Sequence, residues 1–202
     1  LDNNNNATST DEPTGVSTSV TTTADGYRWK YMYTLSAAQQ ASFLSVDFMA
    51  VSPNSSPGSD QSNVISAAVD GSIDVIKIKS AGSGGTNGTH TNIPIRGDGT
   101  GGVCSVTVSG GAVTAVSVTN AGSGYTFATV SNAQIVAAGA TSLAGAELDV
   151  IIPPKGGHGA NAREELGGFF VMMNTSLEGT ESANSGDVSA VNDFRKIVLL
   201  RD

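Results

Sequence analysis

Two stretches of this chain, 40 residues apart, repeat one pattern. Ile73-Asp74-Val75-Ile76-Lys77-Ile78-Lys79-Ser80 runs into Ala81-Gly82-Ser83-Gly84, and Val113-Thr114-Ala115-Val116-Ser117-Val118-Thr119-Asn120 runs into Ala121-Gly122-Ser123-Gly124. Each is a strand rich in β-branched residues that ends at a glycine corner. Each follows a turn, Asp70-Gly71-Ser72 or Gly110-Gly111-Ala112, where glycine supplies a positive φ. Self-similarity at a fixed spacing marks an internal duplication. Between the copies, Arg96 to Gly102 reads as a tight turn, and Val103 to Val108 alternates as a strand. Residues 64–152 are therefore expected to form a small all-β module of two Gly-Ser-Gly repeats. Two repeats are few for a free solenoid, so a compact sandwich or partial barrel is expected.

A second feature lies upstream. Tyr27, Trp29, Tyr31, Tyr33 and Leu35 occupy alternate positions, with Arg28, Lys30, Met32 and Thr34 between them. A period of two predicts a strand with one aromatic face and one mainly polar face. Asp25-Gly26 before it is a turn signal. Aromatic side chains bury ~150–250 Å² each, so this face is expected to pack, either in the chain's own core or against another subunit.

The remaining segments are read in order. Residues 1–24 are polar and read as a loop. Ser36-Ala37-Ala38-Gln39 matches a capping box, predicting a short helix to about Leu44 with Phe43 and Leu44 on its buried side. Asp47 to Val51 reads as a strand, and residues 52–63 as a linker or exposed loop. Beyond Pro153-Pro154, Lys155 to Gly159 is a loop, with Gly156-Gly157-His158-Gly159 expected to pack by its backbone. Asn161 to Leu166 reads as a helical turn. Phe169 to Asn174 is apolar on both faces, as in the centre of a sheet. Leu177 to about Ala190 reads as a loop, and Phe194 to Leu200 as a last strand. Strands 169–173 and 194–200 are the expected mates of the aromatic strand. The fold class is thus mainly β, with few short helices. A discontinuous β-sandwich scaffold, residues 1–63 and 153–202, carries the inserted module at 64–152. Tyr27, Trp29, Tyr31, Tyr33, Phe169, Phe170 and Phe194 are its candidate core or subunit-interface residues.

A search for chemistry finds no catalytic constellation. The net charge of −8 and the absence of a Lys/Arg run argue against a nucleic-acid surface. No apolar run approaches the ~20 residues of a membrane span. The single cysteine, Cys104, cannot form an intrachain disulfide and reads as a small buried apolar residue. His90 sits in a polar stretch read as a loop. Neither His90 nor His158 has a second ligand at a metal-binding spacing. Gly82-Ser83-Gly84 and Gly122-Ser123-Gly124 read as duplicated turns, not as a nucleophile elbow. Glu164-Glu165 puts its carboxylates on different helix faces and reads as a solvated pair. No cofactor is expected.

Several ordered motifs resemble a known family. They are Leu1-Asp2-Asn3-Asn4, Thr8 to Pro13, Ala24 to Tyr33, Pro154-Lys155-Gly156-Gly157-His158-Gly159, Glu165-Leu166-Gly167-Gly168 and Asn192-Asp193-Phe194-Arg195-Lys196-Ile197. They are similar to the baseplate wedge subunit of T-even-like contractile-tailed phages, in its marine and cyanobacterial branch. The resemblance covers about 1–53 and 153–202. Residues 64–152 look like the Gly-Ser-Gly-Tyr repeats of phage structural proteins, although the first copy has Gly85 where the second has Tyr125. The resemblance implies a multi-layer β sandwich, a homodimer in the full-length protein, contacts with other wedge proteins, and a place in the virion tail baseplate after assembly in the host cytoplasm. It implies no enzymatic role, and it implies that an N-terminal portion precedes Leu1. The alternative is a carbohydrate-binding adhesin module of a tail fibre or tailspike, with Tyr125 and the Gly-rich loops touching glycan.

Overall fold

The computed structural model describes residues 1–52, 54–176 and 195–201. The fold is mainly β. Its strands are β1 (Thr21–Thr22), β2 (Arg28–Trp29), β3 (Ile76–Ser83), β4 (Gly88–Pro94), β5 (Arg96–Gly97), β6 (Val103–Ser109), β7 (Ala112–Asn120), β8 (Ala128–Thr129), β9 (Ala144–Val150), β10 (Phe170–Ser176) and β11 (Arg195–Arg201). Four short α-helices are interspersed: α1 (Ala37–Phe43), α2 (Ser59–Ala67), α3 (Asn132–Ala137) and α4 (Ala162–Leu166). All strand pairings are antiparallel: β3 with β9, β4-β6-β7 in that order, β5 with β8, β1 with β2, and β10 with β11.

The core is one cluster drawn mainly from β3, β4, β6, β7 and β9, with α3 contributing Ile135. Alternation does most of the sorting. In β6, Cys104, Val106 and Val108 point inward, while Val103, Ser105 and Thr107 do not. β4 breaks the rule, because His90 and Ile93 are both buried although three positions apart. The cause is a register shift between them, where Asn92 adopts φ 59°. The extra residue turns the strand so that both side chains face the same way. His90 is thus a buried strand residue, not the loop residue expected. Its Nε2 lies 3.0 Å from the Thr86 carbonyl.

The two Ala-Gly-Ser-Gly corners share their backbone geometry. Gly82 and Gly122 have φ 64° in both copies, and Gly84 and Gly124 have 78° and 75°. A Cβ on Gly82 would lie 2.6 Å from the Ala144 carbonyl oxygen, and one on Gly122 would lie 2.4 Å from that of Thr100. Both sites therefore require glycine for a close backbone approach as well as for conformation. The copies differ one residue later. Tyr125 is buried, donates its hydroxyl to the Ile95 carbonyl (3.0 Å) and accepts from the Gly102 amide (3.1 Å). At Gly85 a Cβ would already press on Leu143, so no large side chain fits there.

The chain enters and leaves this core at one place. Ile76 pairs with Val150, and the Ile151 amide donates to the Val75 carbonyl at 3.1 Å.

The flanking segments depart from expectation in several respects. The aromatic strand is a ladder for only two residues, Arg28–Trp29, paired to Thr21–Thr22. Its expected mates pair with each other instead, Phe170 opposite Arg201 through Ser176 opposite Arg195. Residues 47–51 form no strand. Residues 52–63 are not simply a linker, because α2 begins at Ser59. Helix propensity there is weak. Tertiary contact holds the helix instead: Gln61 is buried against Ser52, whose hydroxyl bonds the Gln61 carboxamide oxygen at 2.8 Å, and Val64 is fully buried. The capping box at Ser36 and Gln39 forms as read, with bonds of 3.2 and 2.8 Å. Leu44, however, is exposed rather than buried. Phe194 and residues 177–190 lie outside the described residues.

Candidate functional site

The candidate surface is built from the aromatic stretch upward. Asp25 organises its start. One carboxylate oxygen accepts from the Thr23 hydroxyl and the Tyr27 amide, and the other from the Ser9 hydroxyl and the Thr10 and Asp11 amides. These bonds, the Thr23 hydroxyl foremost, hold its carboxyl far below the usual range. Tyr27 and Trp29, two positions apart, stack with ring centroids 5.7 Å apart, so the period-two aromatic face is real over that span. The opposite, polar face is the one that docks on the β core. Arg28 donates to the Ile76 carbonyl at 3.0 Å, and Lys30, with 6% of its side chain exposed, meets Asp74 at 3.3 Å. Arg28 and Lys77 also flank Asp2, at 3.8 and 3.6 Å.

The aromatic face is left to line a groove. Trp29, Tyr31, Tyr33 and Leu35 meet Pro13, Met49 and Leu166 around about 640 Å³. Tyr33 is fixed there by its hydroxyl, which donates to the Ala50 carbonyl at 2.7 Å, and burial pushes its phenol pKa up. A second groove, about 780 Å³, is lined by Phe43, Phe48, Met49, Val51, Leu166, Phe169 and Phe170. Met49 and Leu166 belong to both, so the two grooves form one continuous apolar surface. Phe170 is 64% exposed, and Phe48, Met49, Phe169, Val171 and Met173 are each about half exposed. The strand read as central is thus half of a two-stranded ribbon, open on much of its surface.

The expected residues are therefore brought together in part. Trp29, Tyr31 and Tyr33 line one groove, and Phe169 and Phe170 the other. Tyr27 lines a separate, smaller groove with Leu1, Arg28 and Lys77, which Trp29 also borders. Phe48, Met49 and Leu166 were missed as surface residues, and a single strand reading of 47–51 hid the first two.

One acid–base couple was also missed. His158 Nδ1 and Glu165 Oε1 are 2.6 Å apart, with the side chains 4% and 9% exposed. Glu165 is therefore not half of a solvated pair, while Glu164, on the exposed face of α4, meets Arg163 at 3.3 Å. The loop carrying His158 packs by its backbone as expected. A Cβ on Gly157 would strike the Val69 carbonyl at 2.3 Å, and one on Gly159 would strike Val64 at 2.4 Å. His158 Nε2 and Glu165 Oε2 are enclosed and have no hydrogen-bond partner. Neither residue lines any of the grooves described above. The couple anchors the Gly156–Gly159 loop to α4.

Among the described residues, no three His, Cys, Asp or Glu side chains are placed to hold a metal ion. Cys104 is fully buried, and burial pushes its thiol up to about 11, far from a reactive thiolate. No described helix is long and apolar enough to cross a membrane. The arrangement can bury apolar surface against another body. No protein-family model matches this sequence, and neither a curated protein nor a solved structure is significantly similar to it.

Proposed function

We propose that this chain is a virion structural protein, a baseplate wedge component of a contractile tail that acts through protein–protein contacts and not as an enzyme. The observation that carries the reading is the continuous apolar surface joined at Met49 and Leu166. Aromatic residues and Met are the types enriched where proteins meet. The resemblance of segments 1–53 and 153–202 to wedge subunits falls on the same parts of the chain that build this surface. In this reading the flanks form the sandwich-like scaffold, the duplicated module is displayed from it, and the surface takes another wedge protein or a second copy in a homodimer. Nucleic acid and membrane are not partners. The protein acts in the tail baseplate and assembles in the host cytoplasm.

The test is capture of wedge proteins from a lysate of assembling particles, using the chain and a Phe170→Asp variant. Capture by the first and not the second is expected. Equal capture by both, or by neither, overturns the assignment of this surface. The alternative, a glycan-binding module of a tail fibre, loses its named contact, because the Tyr125 ring is buried and its hydroxyl is committed to Ile95 and Gly102. Phe127, 59% exposed, is the aromatic residue left for it on the module. Binding on a glycan array that Phe127→Ala abolishes would restore that alternative.

A further inference from the structure

Four steps of this chain place an aspartate or asparagine directly before glycine: Asp25-Gly26, Asp70-Gly71, Asn87-Gly88 and Asp98-Gly99. At such a step the glycine amide nitrogen can reach the side-chain carbonyl carbon, because no Cβ hinders it. The three aspartates are tied down. Asp25 accepts the bonds described above, Asp70 accepts from the Gly156 amide at 2.6 Å, and Asp98 accepts from the amides of Thr126 and Phe127 and from the Thr126 hydroxyl. Their carboxylates would also have to expel an oxide or hydroxide, a poor leaving group.

Asn87 differs in its leaving group, an amide nitrogen that departs as ammonia. It is exposed, in the connection between β3 and β4. Its Oδ1 accepts from the Gly111 amide at 2.9 Å, which draws electrons from the side-chain carbonyl carbon. Its nitrogen, the leaving atom, faces no hydrogen-bond partner among the described residues. Gly88 has φ 143°, and nothing lies within 4 Å of where its Cβ would be. The attacking amide therefore belongs to the least hindered kind of residue in an open place.

We propose that Asn87-Gly88 is a self-modification site at which the chain converts its own asparagine to isoaspartate and aspartate through a cyclic imide. The Gly88 nitrogen bonds to the Asn87 side-chain carbon. The bond from that carbon to the amide nitrogen breaks, and ammonia leaves with the proton that Gly88 gives up. Water then opens the ring at either carbonyl. No oxidant or second reactant is required. The consequence is local and mechanical. Asn87 and Gly85 hold the β6–β7 turn from both sides, since the Gly85 amide donates to the Gly111 carbonyl at 2.9 Å. Isoaspartate adds a methylene to the main chain immediately before β4 and moves the acceptor away from the Gly111 amide. The site is thus a clock that loosens one turn of the module as the protein ages.

The experiment ages the intact chain in mildly alkaline buffer, maps its peptides by mass spectrometry, and labels isoaspartate with an isoaspartyl methyltransferase. The Asn87 peptide is expected to convert at least about tenfold faster than those carrying Asn54-Ser55 or Asn120-Ala121. Exchange of the Gly111 amide is expected to speed up in step. Asn87→Gln is expected to suppress both changes. Conversion of Asn87 no faster than that of Asn54 overturns the site. Conversion with unchanged exchange at Gly111 overturns the clock.

Discussion

Residues 64–152 and the segments on either side of them follow opposite rules of packing. In the module, alternation in β6 and β9, and register shifts in β4 and β7, deliver most of its apolar side chains to one enclosed core. Outside residues 64–150, the buried apolar side chains among the described residues are Pro153 and Ala162. The flanks nevertheless carry most of the large aromatics. The difference teaches that aromatic content does not by itself make a core. A side chain is buried when a second layer covers it, and among the described residues Phe170, Val171 and Met173 of β10 are left about half exposed or more. What the flanks do possess are polar anchors: Arg28 and Lys30 on the module, the hydrogen bonds around Asp25, and the His158–Glu165 couple.

The largest expected effect tests the strongest of those anchors. Removing Glu165 leaves the enclosed His158 ring without its one hydrogen-bond partner, at about 1–3 kcal/mol for an orphaned polar group and more for a charged one, with a cavity besides. Glu165→Ala should therefore destabilise the flank about as much as a core substitution does the module, read by urea unfolding. A loss near zero would show that the flanks have no cooperative structure at this point. Next, Ile93→Ala removes a fully buried side chain, and it should cost about 2–5 kcal/mol in the same measurement. If the module and flanks unfold separately, only the module transition should move.

Smaller changes sharpen the contrast. Tyr125→Phe leaves the Ile95 carbonyl and Gly102 amide without their partner, for about 1–3 kcal/mol. Ser36→Ala removes the cap of α1, an exposed flank helix, for about 0.5–2 kcal/mol, visible as lost helical circular dichroism. The smallest effect concerns pH. The Thr126 hydroxyl, then the Phe127 and Thr126 amides, lower Asp98 from 3.8 to about 2. A depressed carboxyl pKa gives stability that is present above the unfolded value and lost as pH falls through the folded one. The melting difference between the native chain and Asp98→Asn should therefore persist at pH above 3.8 and vanish as pH drops to about 2. A difference that stays constant through that window would remove Asp98 from the account.

How much of this was legible in the sequence depends on where the decisive partner lies. β6 and β7 were legible because alternation and their turn glycines are local signals. The cap at Ser36 was legible for the same reason. The identical pattern at Ser131-Asn132-Ala133-Gln134 starts α3 and passed unread. α2 was hidden because Ser59, Asp60, Ser62 and Asn63 are poor helix formers, and the contacts that hold it come from Ser52 and Gly159. His90 was misplaced because a bulge changes the period from two to three. For Glu164 and Glu165 the sequence placed the carboxylates on different helix faces, but only the fold puts His158 opposite one of them. The candidate surface shows the same limit. The alternation of Tyr27 to Leu35 was visible, whereas the side that would dock was not. The polar face found carbonyl and carboxylate partners at Ile76 and Asp74, and the aromatic face was left open.

The pairing of Ile76 with Val150 has a consequence for how such a chain can change over time. Because entry and exit meet in one antiparallel pair, everything from Val75 to Ile151 hangs from a single doorway. Chain ends that lie together are the condition under which one domain can be spliced into another without stretching its host. A recombination event that swaps the cassette must match that doorway, the backbone bonds of Asp70, Gly71 and Ile73 to residues 121–125, and the bonds of Arg28, Asp2 and Asn5 to Ile76, Lys77 and Ile78. Exchange of residues 75–151 between related chains is then constrained by two strand ends and these few bonds, while the apolar surface of the flanks can remain as it is.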